Sequence, residues 1–149
     1  MNQHPNKAIM TSLIIQQWNN HSIYAAVIDE KMKIVSVGKT TVQNSCDPTA
    51  HAEVNAIREA CAFLKTDSLP KGYWLYSTFE PCPLCASAAV WSKLDGIVYA
   101  NDPRFKGNLP NWSFIKCKKV LEQGAYIHKV DLIENFMLDE IKDYFIKHK

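Results

Sequence analysis

The sequence predicts an α/β domain, a three-layer α/β/α sandwich around a mixed five-stranded sheet. Three observations support this fold class. Two short apolar, β-prone runs flank a turn, helical and strand patterns alternate after them, and the helical stretches carry an apolar stripe suited to one face of a sheet. We expect a single domain over residues 1–149, because the chain contains no internal repeat, low-complexity tract or linker.

The first half of the chain predicts a helix, a hairpin and a second helix. Residues 7–18 place apolar side chains at helical spacing. Residues 23–29 and 33–38 are apolar and β-prone on either side of a turn, which is typical of a hairpin. Residues 39–50 are polar and indicate a loop, whereas 51–64 carry the stripe of a buried helix face.

The second half continues the alternation of strands and helices. Prolines near residue 82 suit the first turn of a helix, where the backbone N–H groups have no intrahelical partner. The helix between the last two strands is long enough for a parallel crossover. The expected elements are strands over 73–77, 97–100 and 126–132, a helix ending near 93, and further helices over 112–123 and 135–146.

Composition narrows the function classes. The chain has 17 Lys+Arg and 15 Asp+Glu, a formal net charge of +2, so a nucleic-acid partner has little support, although it is not excluded. No apolar stretch approaches the length of a membrane span. The first residues lack the basic start and apolar run of a signal peptide. We therefore expect a cytoplasmic protein without membrane contact.

The residues that carry chemistry lie at the starts of two predicted helices. His51 and Glu53 begin one helix, and Cys82 and Cys85 begin another. Two thiolates and an imidazole are a good donor set for Zn²⁺, and three protein ligands leave one tetrahedral position open, as in catalytic zinc sites. The positive ends of the two helices favour thiolates. We predict one zinc ion per chain, held by His51, Cys82 and Cys85.

Glu53 is the predicted catalytic residue. Two thiolates offset the charge of Zn²⁺, so a water molecule at such a site should be acidified less than at a site with three histidines, and a separate base becomes useful. A carboxylate beside that water can carry protons from the nucleophile to the leaving group. The simpler interpretation, a first-turn carboxylate that stabilises the helix dipole, is the weaker one.

These motifs resemble the signature of the zinc-dependent cytidine/deoxycytidylate deaminase superfamily, His-x-Glu followed by Pro-Cys-x-x-Cys. Asp-Pro-Thr-Ala-His-Ala-Glu over 47–53 and Glu-Pro-Cys-Pro-Leu-Cys over 80–85 are similar to the purine-acting branch, which includes bacterial guanine deaminases and tRNA adenosine deaminases. The resemblance covers about residues 23–100. It implies a cytidine deaminase-like fold, hydrolytic removal of an exocyclic amine, and a homodimer.

The resemblance also implies where a base would bind. The N–H of Ala52 would bind a ring carbonyl, and members of the family carry a base-reading Asn where this chain has Thr40. A hydroxyl cannot reproduce the donor and acceptor of a carboxamide. We therefore expect weak activity on guanine, which Thr40→Asn would raise. Asn44 is the first alternative reader of the base.

Aromatic side chains are further candidates for substrate contact. Tyr24 and Phe79 flank the expected pocket, and Trp112 could close over a flat base or serve as a core or dimer contact. A guanine-like purine is the favoured substrate, as a free base or a nucleoside. We place the dimer contact near Trp91, Leu94 and Trp112.

Four alternatives stay open at this point. Cys82 and Cys85 would suit a redox dithiol, although such a motif has no need of the upstream His51 and Glu53. Cys46 could complete a closed, inert zinc site. The chain could be a tRNA adenosine deaminase, whose binding would weaken steeply with salt. It could also be a zinc-stabilised interaction module without activity, which would release no ammonia from any amine.

Overall fold

The computed structural model describes residues 3–100, 112–137 and 139, which form a five-stranded sheet with helices on both faces. The helices are α1 (Lys7–Asn20), α2 (Val42–Ser45), α3 (Ala52–Leu64), α4 (Pro83–Trp91) and α5 (Cys117–Gln123), and the strands are β1 (Tyr24–Ile28), β2 (Ile34–Lys39), β3 (Trp74–Ser77), β4 (Gly96–Tyr99) and β5 (Asp131–Ile133). Within these residues, no helix is long and apolar enough to cross a membrane.

The sheet is mixed, with strand order β2-β1-β3-β4-β5. Strand β1 pairs antiparallel with both β2 and β3. Strands β3, β4 and β5 run parallel, and the pairs Trp74–Gly96 and Gly96–Asp131 set their register. The predicted hairpin and the predicted parallel crossover between the last two strands are both confirmed.

Side-chain alternation along the strands divides the core into two layers. In β1, Ala25 and Val27 pack with the apolar faces of α3, α4 and α5. Tyr24, Ala26 and Ile28 point to the opposite face and pack with α1. All five residues of β1 are buried, as expected for a strand covered on both faces. The predicted three-layer sandwich is confirmed.

The residues at and just before the first turn explain where the helices begin. The Asn6 side chain accepts the N–H of Ile9 and caps α1. His51 and Cys82 have extended backbones immediately before α3 and α4, and Pro83 occupies the first turn of α4. The metal-ligand candidates therefore lie where each chain segment enters its helix.

Three elements differ from the sequence-based expectation. A one-turn helix, α2, lies in the predicted loop over 39–50 and ends where Cys46 takes a left-handed backbone, φ 52°. The predicted helix over 112–123 begins only at Cys117, whose N–H is bound by the Glu80 carboxylate at 2.9 Å. The predicted strand over 126–132 pairs only from Asp131, because the N–H groups of residues 127 and 128 turn back to the carbonyl of Gly124.

The last predicted helix, over 135–146, lies almost wholly outside the described residues. Residues 135–137 form a bend and turn after β5.

Candidate metal centre and adjoining cavity

The ends of the central strands bring the two ligand motifs together. Strand β3 ends at Ser77 and leads through the segment 78–82 into α4, while the segment after β2 leads into α3. Helices α3 and α4 pack on the same face of the sheet. Their N-termini meet at the carboxyl edge of β3, which is the usual location of sites in open α/β sheets.

Three donor atoms form a compact triangle at this edge. Nδ1 of His51 lies 3.4 Å from Sγ of Cys82 and 3.5 Å from Sγ of Cys85, and the two sulfurs are 3.6 Å apart. With Zn–S near 2.3 Å and Zn–N near 2.0 Å, donors of a tetrahedral site lie roughly 3.5–3.8 Å apart. His51, Cys82 and Cys85 therefore fit one face of a zinc tetrahedron.

The two thiols have unequal affinities for their protons. The hydrogen bond with Cys85 lowers the pKa of Cys82 to about 5 and outweighs the opposing effect of burial. The same contact and burial raise the pKa of Cys85. Cys82 is thus the first to become a thiolate, and a bound cation would displace the second proton, because metal binding by cysteine releases protons.

Glu53 lies in the first turn of α3 and is 5% exposed. Burial raises its pKa to about 7, with a further contribution from the charge of Cys82. A carboxyl with a pKa near the operating pH can both take up and release a proton. The structure thus places the Glu53 carboxyl in the cavity beside the donor triangle, and its catalytic role stays a prediction.

A cavity of about 420 Å³ opens next to the donor triangle. His51, Cys82 and Glu53 line its metal side, residues 40–44 line a second side, and Phe79 and Trp112 line a third. The rings of Phe79 and Trp112 meet edge to face, with centroids 6.2 Å apart. Of the predicted substrate contacts, Thr40, Phe79 and Trp112 therefore border the cavity.

Tyr24 and Ala52 are placed differently. Tyr24 is not among the cavity's lining residues and packs instead with α1, because strand alternation sends its side chain to the far face of the sheet. Ala52 is fully buried, and its side chain packs in the core. As the first residue of α3, it has a backbone N–H without an intrahelical partner.

Several lining residues escaped sequence reasoning. Ser22 and Ile23 border the cavity just before β1, and Gln43 borders it from α2. Glu80 lines it as well and joins it to α5 through the N–H of Cys117. The position of Glu80 next to Pro81 and Cys82 could have identified it from the sequence. The residues of α2 could not be identified in this way, because a single turn is too short to show helical periodicity.

The position of Cys46 argues against a closed zinc site. Cys46 is exposed, its thiol faces the carbonyl of Gln43 at 3.9 Å, and it is not part of the donor triangle. The redox interpretation also loses support, because His51 lies close to both sulfurs. Three described donors thus leave an open position.

Comparisons with known proteins agree with this geometry. Residues 3–101 match the profile described as the cytidine and deoxycytidylate deaminase zinc-binding region. Guanine deaminase of Bacillus subtilis is 43% identical over 77 residues, which span 52% of this chain but only 49% of that protein. tRNA-specific adenosine deaminase of Rickettsia bellii is 34% identical over 135 residues, spanning 87% of this chain and 88% of that protein.

A solved structure of guanine deaminase from Nitrosomonas europaea has the same fold. It matches with a TM-score of 0.77 and 19% identity, and the match covers 94% of this chain and 80% of that chain. This likeness confirms the predicted cytidine deaminase-like sandwich. The profile match confirms the resemblance that the two motifs carried, together with the predicted zinc-binding region.

Proposed function

The chain belongs to the cytidine and deoxycytidylate deaminase zinc-binding family, and from that premise we propose a zinc-dependent hydrolase that removes the exocyclic amine of a nucleobase or nucleoside, preferably a guanine-like purine. The observation that carries the proposal is the donor triangle of His51, Cys82 and Cys85 with Glu53 beside it in one cavity. In the overall reaction, water replaces the amine on a ring carbon and ammonia leaves.

The protein's part in this reaction is to hold the metal and to move protons. A zinc ion held by His51, Cys82 and Cys85 would supply Lewis acidity toward a water molecule at its open position. The Glu53 carboxylate takes one proton of the attacking water and passes it to a ring nitrogen. It then takes the second proton from the hydroxyl newly formed on the ring carbon and delivers it to the amine, so that the C–N bond breaks, ammonia leaves and the ring carbon becomes a carbonyl. Its pKa of about 7 suits both directions of transfer near neutral pH.

The cavity supports a small heterocyclic substrate. Phe79 and Trp112 offer aromatic surface to a flat ring. No Lys or Arg is among the described lining residues, so those residues offer a phosphate group no cationic partner. This favours a base or nucleoside over a nucleotide or RNA strand.

A substrate panel with a matched variant tests the proposal. Ammonia release is measured for guanine, adenine, cytosine and their nucleosides with wild type and Glu53→Gln, each with its zinc content. We expect release from at least one purine by wild type. Glu53→Gln should retain zinc and lose about 10²–10⁴-fold in kcat, since an amide cannot shuttle protons. Undiminished turnover in that variant would remove the role from Glu53, and no release from any member of the panel would reject a free base or nucleoside as the substrate.

A second candidate is a tRNA adenosine deaminase, because the alignment with the Rickettsia bellii protein of that name spans most of both chains. Lys118 and Lys119 on α5 are exposed and could meet a phosphate backbone. Deamination of a tRNA would then weaken steeply with salt, through release of counterions. A free-base enzyme would show little salt dependence.

We also propose that the enzyme acts as a cytoplasmic homodimer. Leu84 and Trp91, seven residues apart on α4, line an open groove between α3 and α4 together with Cys61 and Ala88. Leu84 is 40% and Trp91 65% exposed, which a second copy would relieve. Of the other two expected contacts, Leu94 is fully buried and belongs to the core, and Trp112 borders the cavity rather than this groove. The five free cysteines suit a reducing compartment.

A further inference from the structure

The polar side chains that line the cavity divide into two groups, those already bound within the protein and those left for a ligand. Glu80 binds the N–H of Cys117 at 2.9 Å. The hydroxyl of Thr41 accepts a hydrogen bond from Nδ2 of Asn55 at 2.9 Å. His51 and Glu53 belong to the metal centre. The recognition of a substrate therefore falls to the remaining polar residues.

Two of these remaining residues carry amides on consecutive positions of α2. Gln43 and Asn44 line the cavity, and their side chains are exposed. Neither amide is hydrogen-bonded to another described residue, whereas the neighbouring Ser45 hydroxyl turns back to the carbonyl of Thr41 at 2.6 Å. A carboxamide offers hydrogen-bond donors and an acceptor in one planar group. The single hydroxyl of Thr40 cannot reproduce this arrangement.

Helix α2 is held in place although it has only four residues. The N–H of Thr41, immediately before α2, donates to the carbonyl of Ala50 at 3.0 Å, and the N–H of Asp47 donates to the carbonyl of Val42 at 3.1 Å. Asn55 of α3 adds hydrogen bonds to the carbonyl of Lys39 at 2.8 Å and to Thr41. The amides are therefore presented from a fixed backbone, which reduces the ordering cost of binding.

We propose that Gln43 and Asn44 determine substrate specificity by binding the carbonyl and ring-nitrogen groups that the substrate presents away from its leaving amine. The substrate class is an aminopurine with a ring carbonyl, a 6-oxopurine, whose polar edge carries a donor and acceptors. This inference rests on the deaminase proposal and names the recognition that belongs to it. Thr40 then borders the cavity without reading the base.

Hydrogen bonds from Gln43 and Asn44 are expected to discriminate between substrates with and without these polar groups, rather than to strengthen the binding of every purine. A site built to hydrogen-bond a polar group rejects an analogue that lacks it, because its own polar groups would be left unpaired. Guanine and 2-aminopurine form a matched pair, since they carry the same leaving amine and differ only in the C6 carbonyl and the N1–H of guanine. The ratio of their kcat/KM values therefore reports on recognition of that carbonyl and ring N–H.

The test compares Gln43→Leu and Asn44→Leu with Ser45→Ala on the same helix, using zinc content and Tm as structural controls. We expect at least one leucine variant to lose about tenfold in kcat/KM for guanine, equivalent to about 1.4 kcal/mol. Its kcat/KM for 2-aminopurine should change less than twofold, and Ser45→Ala should match wild type. A variant that loses activity on both purines equally would assign α2 a structural role and overturn the inference.

Three further outcomes separate this inference from the proposal beneath it. If wild type releases ammonia from guanine and both leucine variants keep its full rate, deamination stands and only the role of Gln43 and Asn44 is overturned. The same holds if Thr40→Asn raises kcat/KM for guanine about tenfold while the leucine variants are inert, because position 40 then reads the base. If wild type releases ammonia from no purine, both proposals fall.

Discussion

The environment of Glu53 illustrates how one residue acquires a chemical role from its surroundings. In water a glutamate would be fully ionised at neutral pH. Burial at the start of α3 raises its pKa to about 7, so that both protonation states are populated near neutral pH. The same carboxyl in an exposed first turn would only stabilise the helix end. The catalytic role proposed for Glu53 therefore depends on the packing of α3 against β2 and α4.

The zinc ligands provide a prediction at the same scale. Cys82→Ser should weaken zinc binding by more than about 100-fold, because even loss of a supporting outer-shell partner costs about 10–100-fold. The Tm should fall with it, since metal binding contributes to folding. Zinc per chain after dialysis and the Tm are the measurements.

Cys46→Ser is the matched control for that substitution. Cys46 is exposed and lies outside the donor triangle, so zinc content and Tm should stay at the wild-type level. Loss of zinc on substituting Cys46, or full zinc in Cys82→Ser, would contradict the ligand assignment.

Among the elements, the contact between β2 and α3 depends on a glycine. A Cβ at Gly38 would lie 2.6 Å from the backbone nitrogen of Ala56, and backbone atoms cannot rotate away as side chains do. The Ser36 hydroxyl further joins β2 to α3 through the carbonyl of Ala56 at 2.6 Å. Helix α3 carries Glu53, so this close approach also fixes the distance between the first turn of α3 and the sheet.

Gly38→Ala should therefore destabilise the protein by about 1–3 kcal/mol, the usual range for overpacking. Gly124→Ala is the comparison, because its Cβ would meet the Val90 side chain at 3.2 Å, a milder contact than the one with the backbone at Gly38. That change should stay within about 1 kcal/mol of wild type. Urea unfolding of zinc-loaded protein measures both, and equal effects would refute the close-contact argument.

The segment before α1 is a second element with a testable property. The His4 ring stacks on Trp74 with centroids 4.1 Å apart, and its Nδ1 lies 2.7 Å from the hydroxyl of Tyr76. Burial lowers the pKa of His4 below its usual value. As the pH falls below about 6.5, the unfolded chain binds this proton before the folded protein does.

The His4 contribution to stability is therefore complete above about pH 6.5 and declines as the pH falls through the lowered folded pKa. His4→Gln, which does not titrate, should lose less stability than wild type between pH 7.5 and 5.5. Urea midpoints at the two pH values provide the comparison, with zinc-ligand titration common to both proteins. An identical decline in both would exclude His4 as a contributor.

At the scale of the whole molecule, the groove between α3 and α4 predicts self-association. Trp91→Glu should weaken a dimer by about 30–1,000-fold in Kd, as expected when a central aromatic contact worth about 2–4 kcal/mol is lost. Phe63→Glu is the control, because Phe63 is 74% exposed on α3 but does not line the groove. Sedimentation at micromolar concentration distinguishes the two. A wild-type monomer, or dimers insensitive to Trp91→Glu, would reject the dimer proposal.

The sequence by itself determined the fold class, the order of the main elements, and the residues of the metal centre. These depend on local patterns, since apolar periodicity reports which face of an element is buried, and zinc ligands must come from a few residue types at short spacings. His51, Cys82 and Cys85 could be chosen before their distances were known. Glu53 followed from its position two residues after His51.

Only the tertiary structure decided which side chains share the cavity. Tyr24 lies next to Ile23 in the chain, yet pleating sends it to the α1 face while Ile23 borders the cavity. Helix α2 is one turn long, which is too short to show periodicity, and its start is held by the Asn55 amide, which donates to Thr41, and by the Ala50 carbonyl, which accepts the Thr41 N–H. Contacts between distant segments carry no local signature, and for that reason the placement of Gln43 beside the metal centre emerged from the fold alone, whereas Asn44 was already an alternative reader of the base in the sequence.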